Sequence, residues 1–233
     1  MKVSPKKGFA PAITDCLPVV EMFWGINGEG LKSGSPAAFI RFSGCNLSCS
    51  WCDTAWANSE DCPVTYKTPE DIYNKLLDRG IKNVTLTGGE PLLQKNIGNL
   101  LKLLVSDSYF NTEIETNGSI PLDYIRRSGE KISFTVDCKL PSSGMSENVC
   151  YKNFGLLGKR DCVKFVAGTE ADLFEAARIM KEYSLTKRTN IFISPVSDML
   201  APEIIADFIV ENTLDARLAL QLHKIIWGNQ KRR

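Results

Sequence analysis

Arg41-Phe-Ser-Gly-Cys45-Asn-Leu-Ser-Cys49-Ser-Trp-Cys52-Asp-Thr54 carries the reading of this chain. Three cysteines stand as Cys-x-x-x-Cys-x-x-Cys on one short loop. Three thiolates that close can hold three irons of a cubane iron–sulfur cluster, where four cysteines are the usual complement. No fourth follows at short range, since the next is Cys62. The fourth iron is then open to an outside ligand, which turns an electron carrier into a site where a small molecule is bound and reduced. Structural zinc instead wants four closed ligands, usually as paired Cys/His couples. Here it would have one triplet, with Cys62 or His223 left as the fourth ligand.

The remaining cysteines, Cys16, Cys62, Cys138, Cys150 and Cys162, show no pair spacing of their own. Most suit small buried apolar positions. No signal-peptide pattern opens the chain and no apolar run is long enough to span a membrane. The expectation is therefore a cytoplasmic protein with reduced thiols and no membrane partner. At 233 residues, 43% hydrophobic, the chain can form one sizeable core. A net charge of +1 gives no general field for a polyanion, so no nucleic-acid partner is expected. Lys231-Arg232-Arg233 is a short basic tail.

Beyond residue 36, β-like and α-like segments alternate. Ala37 to Phe42 reads as a strand that feeds the cysteine loop. Thr68-Pro69-Glu70-Asp71 is a helix start, with a capping Thr, Pro at the first helical position and acids in the first turn; this helix should stop near Gly80. Further strands are expected over 83–87, 112–115, 132–136, 162–166, 190–193 and 217–222. Helices are expected over 96–106, from about Asp172 to Tyr183 with Thr169 as N-cap, and from Pro202 to Glu211. Residues 140–160 read as an irregular connection. Repeated βα units imply parallel strands with helical crossovers. Polar and glycine residues fall just after the strands, on the face where such folds build sites. About six units are too few to close an eight-stranded barrel, so the fold class is α/β, a partial (β/α) barrel. Val19 to Phe23 reads as an extra N-terminal strand. Gly25-Ile-Asn-Gly-Glu-Gly30 reads as a glycine-rich turn bearing one acid, which by itself says little.

The cysteine loop after the first strand, with Thr87-Gly88-Gly89-Glu90-Pro91 after the second, resembles the radical S-adenosylmethionine (SAM) superfamily. Within it, four stretches resemble the 7-carboxy-7-deazaguanine synthase family. Glu21-Met-Phe with Gly28-Glu29-Gly30 precedes the first parallel strand. Ala38-Phe-Ile-Arg41-Phe precedes the cysteine loop. Cys52-Asp53-Thr54 and Glu115-Thr-Asn-Gly118 end loop and third strand. Gln221-Leu-His223-Lys-Ile-Ile-Trp227-Gly-Asn229 closes the chain as in the Gram-positive branch. The resemblance spans about residues 19–230. Two positions depart from it. Asn27 stands where the family usually has Gln, and Asp137-Cys138-Lys139 where it often has Ser-Pro-Lys.

The resemblance implies the whole of 1–233 as one radical-SAM core domain, with 1–36 as an extension carrying a substrate-binding turn. It implies a 4Fe-4S cluster, SAM and Mg2+ as cofactors. In such enzymes the reduced cluster cleaves SAM to methionine and a 5′-deoxyadenosyl radical. That radical takes hydrogen from 6-carboxy-5,6,7,8-tetrahydropterin, whose ring contracts with loss of ammonia. By matched position, Cys45, Cys49 and Cys52 bind iron. Trp51, Cys52, Asp53, Gly88, Gly89, Glu90, Asp137, Cys138, Lys139 and the turn Ser194, Pro195, Val196, Ser197 surround SAM. Ile26, Asn27, Gly28, Glu29, Arg41, Thr87 and His223 hold the pterin, and Thr54 is the Mg2+ position. The radical is carried by the cofactor, so no side chain is expected to be catalytic. An external donor such as flavodoxin or ferredoxin, and a homodimer, come with the family. Two other readings stand beside this one. An activase making a glycyl radical on a partner enzyme would not turn over the pterin. A non-catalytic zinc or iron–sulfur protein would carry metal without turnover.

Overall fold

The computed structural model describes residues 15–59, 61–128, 131–228, 230 and 232. Asn229, Lys231 and Arg233 of the closing motif and tail, and residues 1–14 of the N-terminal extension, lie outside the described residues. Nine strands form one sheet. They are β1 (Leu17–Ile26), β2 (Pro36–Phe42), β3 (Thr65–Lys67), β4 (Asn83–Gly88), β5 (Asn111–Thr116), β6 (Ser133–Cys138), β7 (Cys162–Ala167), β8 (Asn190–Pro195) and β9 (Arg217–Leu218). Their order is β3-β1-β2-β4-β5-β6-β7-β8-β9. From β2 to β9 every pairing is parallel, and β1 joins β2 and β3 antiparallel. This is the expected partial barrel with an extra N-terminal strand.

The helices are α1 (Pro69–Arg79), α2 (Ile97–Ser106), α3 (Asp123–Ser128), α4 (Glu170–Glu182), α5 (Leu185–Arg188), α6 (Pro202–Glu211) and α7 (Leu222–Trp227). Local chemistry sets the bounds of α1. Thr68 and Asp71 exchange side-chain and backbone hydrogen bonds in a capping box, and Gly80 takes the left-handed conformation that ends the helix. Thr169 is the expected N-cap of α4 and repeats the box with Asp172. Between β6 and β7 three 3-10 turns replace a crossover helix.

Period-two alternation assigns the two faces of the strands. Ile40 and Phe42, Val84 and Leu86, Ile114, Phe134 and Val136, Val163 and Phe165 point to the helices and form the main core with Leu100, Leu104 and Leu173. The inward positions are mostly polar, with Phe39 and Phe192 the large apolar exceptions. Thr85, Glu113, Thr135 and Cys162 make a floor, with Arg41, Thr87, Glu115, Asp137 and Lys164 nearer the strand ends. β3, α3 and α5 were not expected from the sequence, and three expected segments have other bounds. β1 runs on through Ile26, so the turn begins only at Asn27. Ser194 and Pro195 belong to β8 itself. The last strand stops at Leu218, because Leu220 is exposed and the alternation has no buried face to serve. Gln221 instead precedes α7, and the Leu222 amide donates to the Gly28 carbonyl at 3.2 Å. The C-terminal segment thus returns to the N-terminal turn across the open side of the sheet.

Candidate active site

A cavity of about 400 Å³ opens at the carboxyl ends of the parallel strands. Cys45, Cys49 and Cys52 line it, and none is in a disulfide. The Leu47 amide donates to Cys45 Sγ at 3.4 Å and Asn117 Nδ2 to the same sulfur at 3.6 Å. Hydrogen-bond donors on a sulfur suit a thiolate that ligates iron. Burial pushes the Cys49 thiol up, and the neighbouring Cys52 and Cys45 add to this against the opposing pull of Lys139. Cations at the sulfurs would relieve that repulsion, so the donor set fits an iron–sulfur cluster. Cys62 does not line the cavity. Among the described residues no three His, Cys, Asp or Glu side chains close around a single metal-ion point. Burial drives Cys138 and Cys162 up to about 12, which makes them inert thiols.

The cysteine loop is seated on glycines. The Gly89 amide donates to the Phe42 carbonyl (3.1 Å) and the Glu90 amide to the Gly44 carbonyl (2.9 Å). A Cβ on Gly89 would strike the Gly44 carbonyl and Asn58 Oδ1, and one on Gly88, whose φ is +139°, would strike the Phe42 backbone. Glu90 is fully buried and does not line the cavity. Its carboxylate accepts from the Asn117 amide (2.7 Å), Thr116 Oγ1 (2.9 Å) and the Leu92 amide (3.0 Å), and so ties the end of β5 to the end of β4.

Two buried acceptors in the cavity wall lack a well-formed hydrogen bond: Asn58 Oδ1 has no donor, and Asp137 Oδ1 has only its ion pair with the Lys164 ammonium at 3.3 Å. A ligand donor at either oxygen would complete its pairing. The ammonium and ribose hydroxyls of SAM are donors of the right kind, so the residues present fit that group too. Asp53, Gly88, Gly89 and Lys139 share this part of the wall. Trp51 stands behind it, donating from Nε1 to Ser142 Oγ at 3.3 Å, with the Lys139 ammonium 5.4 Å above its ring. Cys138 points into the core, and Ser194, Pro195, Val196 and Ser197 lie outside the cavity lining. Ser197 Oγ accepts from Lys224 Nζ (3.0 Å), which does line it.

The opposite wall is charged. A bulge in β1 shifts the register between Val19 and Glu21 and sets Glu21 opposite Arg41. Arg41 Nε donates to Glu21 Oε1 (2.9 Å), and Nη1 to Thr54 Oγ1 (3.5 Å). Thr54 in turn donates to Asp53 Oδ1 (2.9 Å). Thr87 is the β4 partner of Arg41. Ile26, Asn27, Gly28 and Glu29 line the cavity; Asn27 Nδ2 donates to Glu113 Oε2 (3.3 Å) and Thr85 Oγ1 (3.4 Å), while Oδ1 accepts from the Glu29 amide (3.3 Å). His223, on α7, packs its ring against Gly28, where an added Cβ would strike Nδ1. Burial pulls its pKa down, which favours the neutral imidazole.

Among the lining residues, Asn58, Lys164 and Arg232 had no local sequence signal, while Phe23 and Phe39, stacked 4.8 Å apart, and Glu115 stood inside the quoted motifs without a role of their own. Lys164 donates to Glu29 Oε2 at 2.6 Å and lies 3.3 Å from Asp137 Oδ1, while Lys139 donates to Asp137 Oδ2 at 3.0 Å. Burial alone would pull the Lys164 ammonium down, but Asp137, Glu29 and Glu115 outweigh it and hold its pKa well above the ordinary value. Burial likewise raises Asp137, and Lys139 and Lys164 more than reverse this. Glu115 stays raised, to about 7: burial is the largest cause, Glu113 adds to it, and Lys164 and the Thr87 hydroxyl only partly offset it. Inward-facing alternation on β5 and β7 was the one clue that Glu115 and Lys164 share this wall.

Residues 39–193 match the family model described as the Radical SAM superfamily. A 7-carboxy-7-deazaguanine synthase of Clostridium acetobutylicum is 51% identical over 215 residues, covering 92% of this chain and 97% of that one. A second, of Chlorobaculum tepidum, is 35% identical over 219 residues, covering 93% and 96%. The crystal structure of QueE from Escherichia coli superposes with a TM-score of 0.71 at 24% identity, covering 88% of this chain and 94% of that one, and shares the fold.

Proposed function

The chain belongs to the radical SAM superfamily and, within it, to the 7-carboxy-7-deazaguanine synthases, and on that premise we propose that its cavity contracts 6-carboxy-5,6,7,8-tetrahydropterin to 7-carboxy-7-deazaguanine with loss of ammonia. It is a radical SAM enzyme, whose cofactors, an iron–sulfur cluster and SAM, supply when bound the one-electron chemistry that starts the ring contraction. The observation that carries the assignment is one cavity with the three cysteines on one wall and a carboxylate-, arginine- and imidazole-bearing wall facing them.

Cys45, Cys49 and Cys52 hold the cluster. Asp53, Gly88, Gly89, Asp137 and Lys139 bind SAM, with Asp137 Oδ1 as an acceptor. Trp51, Glu90, Cys138 and the Ser194–Ser197 segment act behind the wall. Arg41 meets the pterin carboxylate, since its planar guanidinium matches a carboxylate edge. Ile26, Gly28, Glu29, Thr87 and His223 hold the ring, and neutral His223 offers one donor and one acceptor without charge. Asn27 acts one step back, by fixing Glu29. Glu115 can hold or release a proton near neutrality where departing ammonia needs one. The oxygens of Thr54 and Asp53, side by side in the wall, support Mg2+ binding at Thr54. The same reading takes 1–233 as one core domain, supported by the continuous nine-stranded sheet. A homodimer, flavodoxin or ferredoxin as donor and a cytoplasmic location come with the family; no helix among the described residues is long and apolar enough to cross a membrane.

Anaerobic reconstitution with iron and sulfide tests the proposal. It should yield about four irons per chain and, with SAM, reductant and the tetrahydropterin, the deazaguanine product. Zinc in place of iron, or SAM cleavage that leaves the pterin untouched, would overturn it.

A further inference from the structure

Lys164 touches both halves of the proposed site. The parallel register of β6 and β7 sets Asp137 directly beside it. Glu29 reaches it from the turn after β1, 135 positions away in sequence. All three side chains are largely buried: Lys164 and Glu29 are each 14% exposed and Asp137 24%. Pairs shielded in this way escape most of the screening that weakens surface ion pairs. The two contacts are unequal. Glu29 Oε2 receives a hydrogen bond at 2.6 Å, whereas Asp137 Oδ1 lies at 3.3 Å and is left without one. Lys139 holds only the other oxygen of Asp137.

We propose that Lys164 is a positioning residue that couples SAM binding to pterin binding through the chain Asp137–Lys164–Glu29. A ligand hydroxyl or ammonium that pairs Asp137 Oδ1 releases Lys164 from that carboxylate. The ammonium then settles on Glu29 and fixes the carboxylate against the pterin. The inference rests on the proposed roles of Glu29 and Asp137. It is particular to this chain, because position 137 departs from the Ser of the resemblance.

The test is equilibrium binding of 6-carboxypterin, a probe without the reactive tetrahydro ring, to the cluster-reconstituted protein with and without SAM. Coupling between sites is typically about 5–150-fold. The parent should bind the probe about tenfold tighter with SAM present. In Lys164→Met the ratio should fall to about one. Should that variant fail to fold with a buried, unpaired Glu29, Asp137→Asn keeps the Lys164–Glu29 pair and, at SAM concentrations shown by direct titration to saturate that variant, should also bring the ratio close to one. A merely structural role would lower both affinities and leave their ratio unchanged. An unchanged ratio in the folded variants, or a parent that binds the probe equally with and without SAM, overturns the coupling alone. A parent that does not bind the probe at all overturns the functional reading with it.

Discussion

Along one wall of the cavity the working atoms come from residues close in sequence, Cys45 to Asp53 with Gly88 and Gly89 packed beneath them. Along the other, Lys164 reaches Glu29 from 135 positions away and Glu21 is held by both Arg41 and Arg232, the latter 211 positions distant. The first wall is a backbone device. Its spacing is fixed by main-chain hydrogen bonds and by glycines that leave no room for a side chain. The second is a balance of buried charges, each tolerable only because another element supplies its partner. Damage to the first should abolish the chemistry, whereas damage to the second should be graded.

The largest effect belongs to Cys49→Ala. A cluster held by three thiolates has no spare, so both cluster absorbance and SAM cleavage should be lost; full iron and activity would remove the cysteine wall from the account. Gly89→Ala comes next. Its Cβ would push into the Gly44 carbonyl and Asn58, so most cluster absorbance should go, while Gly155→Ala, with open space around the new carbon, should match the parent. Equal iron content in the two variants would show that the loop can give.

On the charged wall, His223→Ala should lower kcat/KM for the pterin by a few-fold to about tenfold, the usual range for one substrate hydrogen bond. Cluster content should be unchanged; an unaltered kcat/KM would place His223 outside the site. Glu115 gives a pH signature. Its pKa of about 7 in the folded protein lies above the ordinary carboxylate value of 4.5. The folded state therefore binds the extra proton between those values, and stability falls as pH rises from about 4.5 to 7. Glu115→Gln should flatten that decline and melt several degrees higher than the parent at pH 8. Melting curves that keep the parent's pH dependence would assign the decline to other groups. The smallest effect is expected at Thr54→Ala, which should weaken the response of turnover to Mg2+; equal magnesium dependence would show that Thr54 is not a ligand.

The two walls also differ in how far they could be read before folding. The order of strands, the capped start of α1 and the cysteine loop were legible, because each depends on residues within a few positions of one another. Glu115 and Lys164 were not singled out, because their meaning lies in cross-strand register that a single strand does not carry. Asn27 shows the same limit. One methylene shorter than the family's Gln, it bonds Glu113 and Thr85 beneath the cavity, partners that no local pattern names. His223 was placed on the cavity side, but its element was misread. Alternation over 218–222 suggested a strand, and the return of Leu222 to Gly28 made the next residues a helix.

On the proposed assignment one wall activates SAM and the other holds the pterin. Glu29→Gln, reconstituted and supplied with reductant, saturating SAM and the tetrahydropterin, tests it most directly if 5′-deoxyadenosine and 7-carboxy-7-deazaguanine are counted in the same reaction. The predicted result is 5′-deoxyadenosine at the rate the parent shows without pterin, with the deazaguanine product reduced by about tenfold or more. Parallel loss of both products, or an undiminished yield of the deazaguanine, would contradict it.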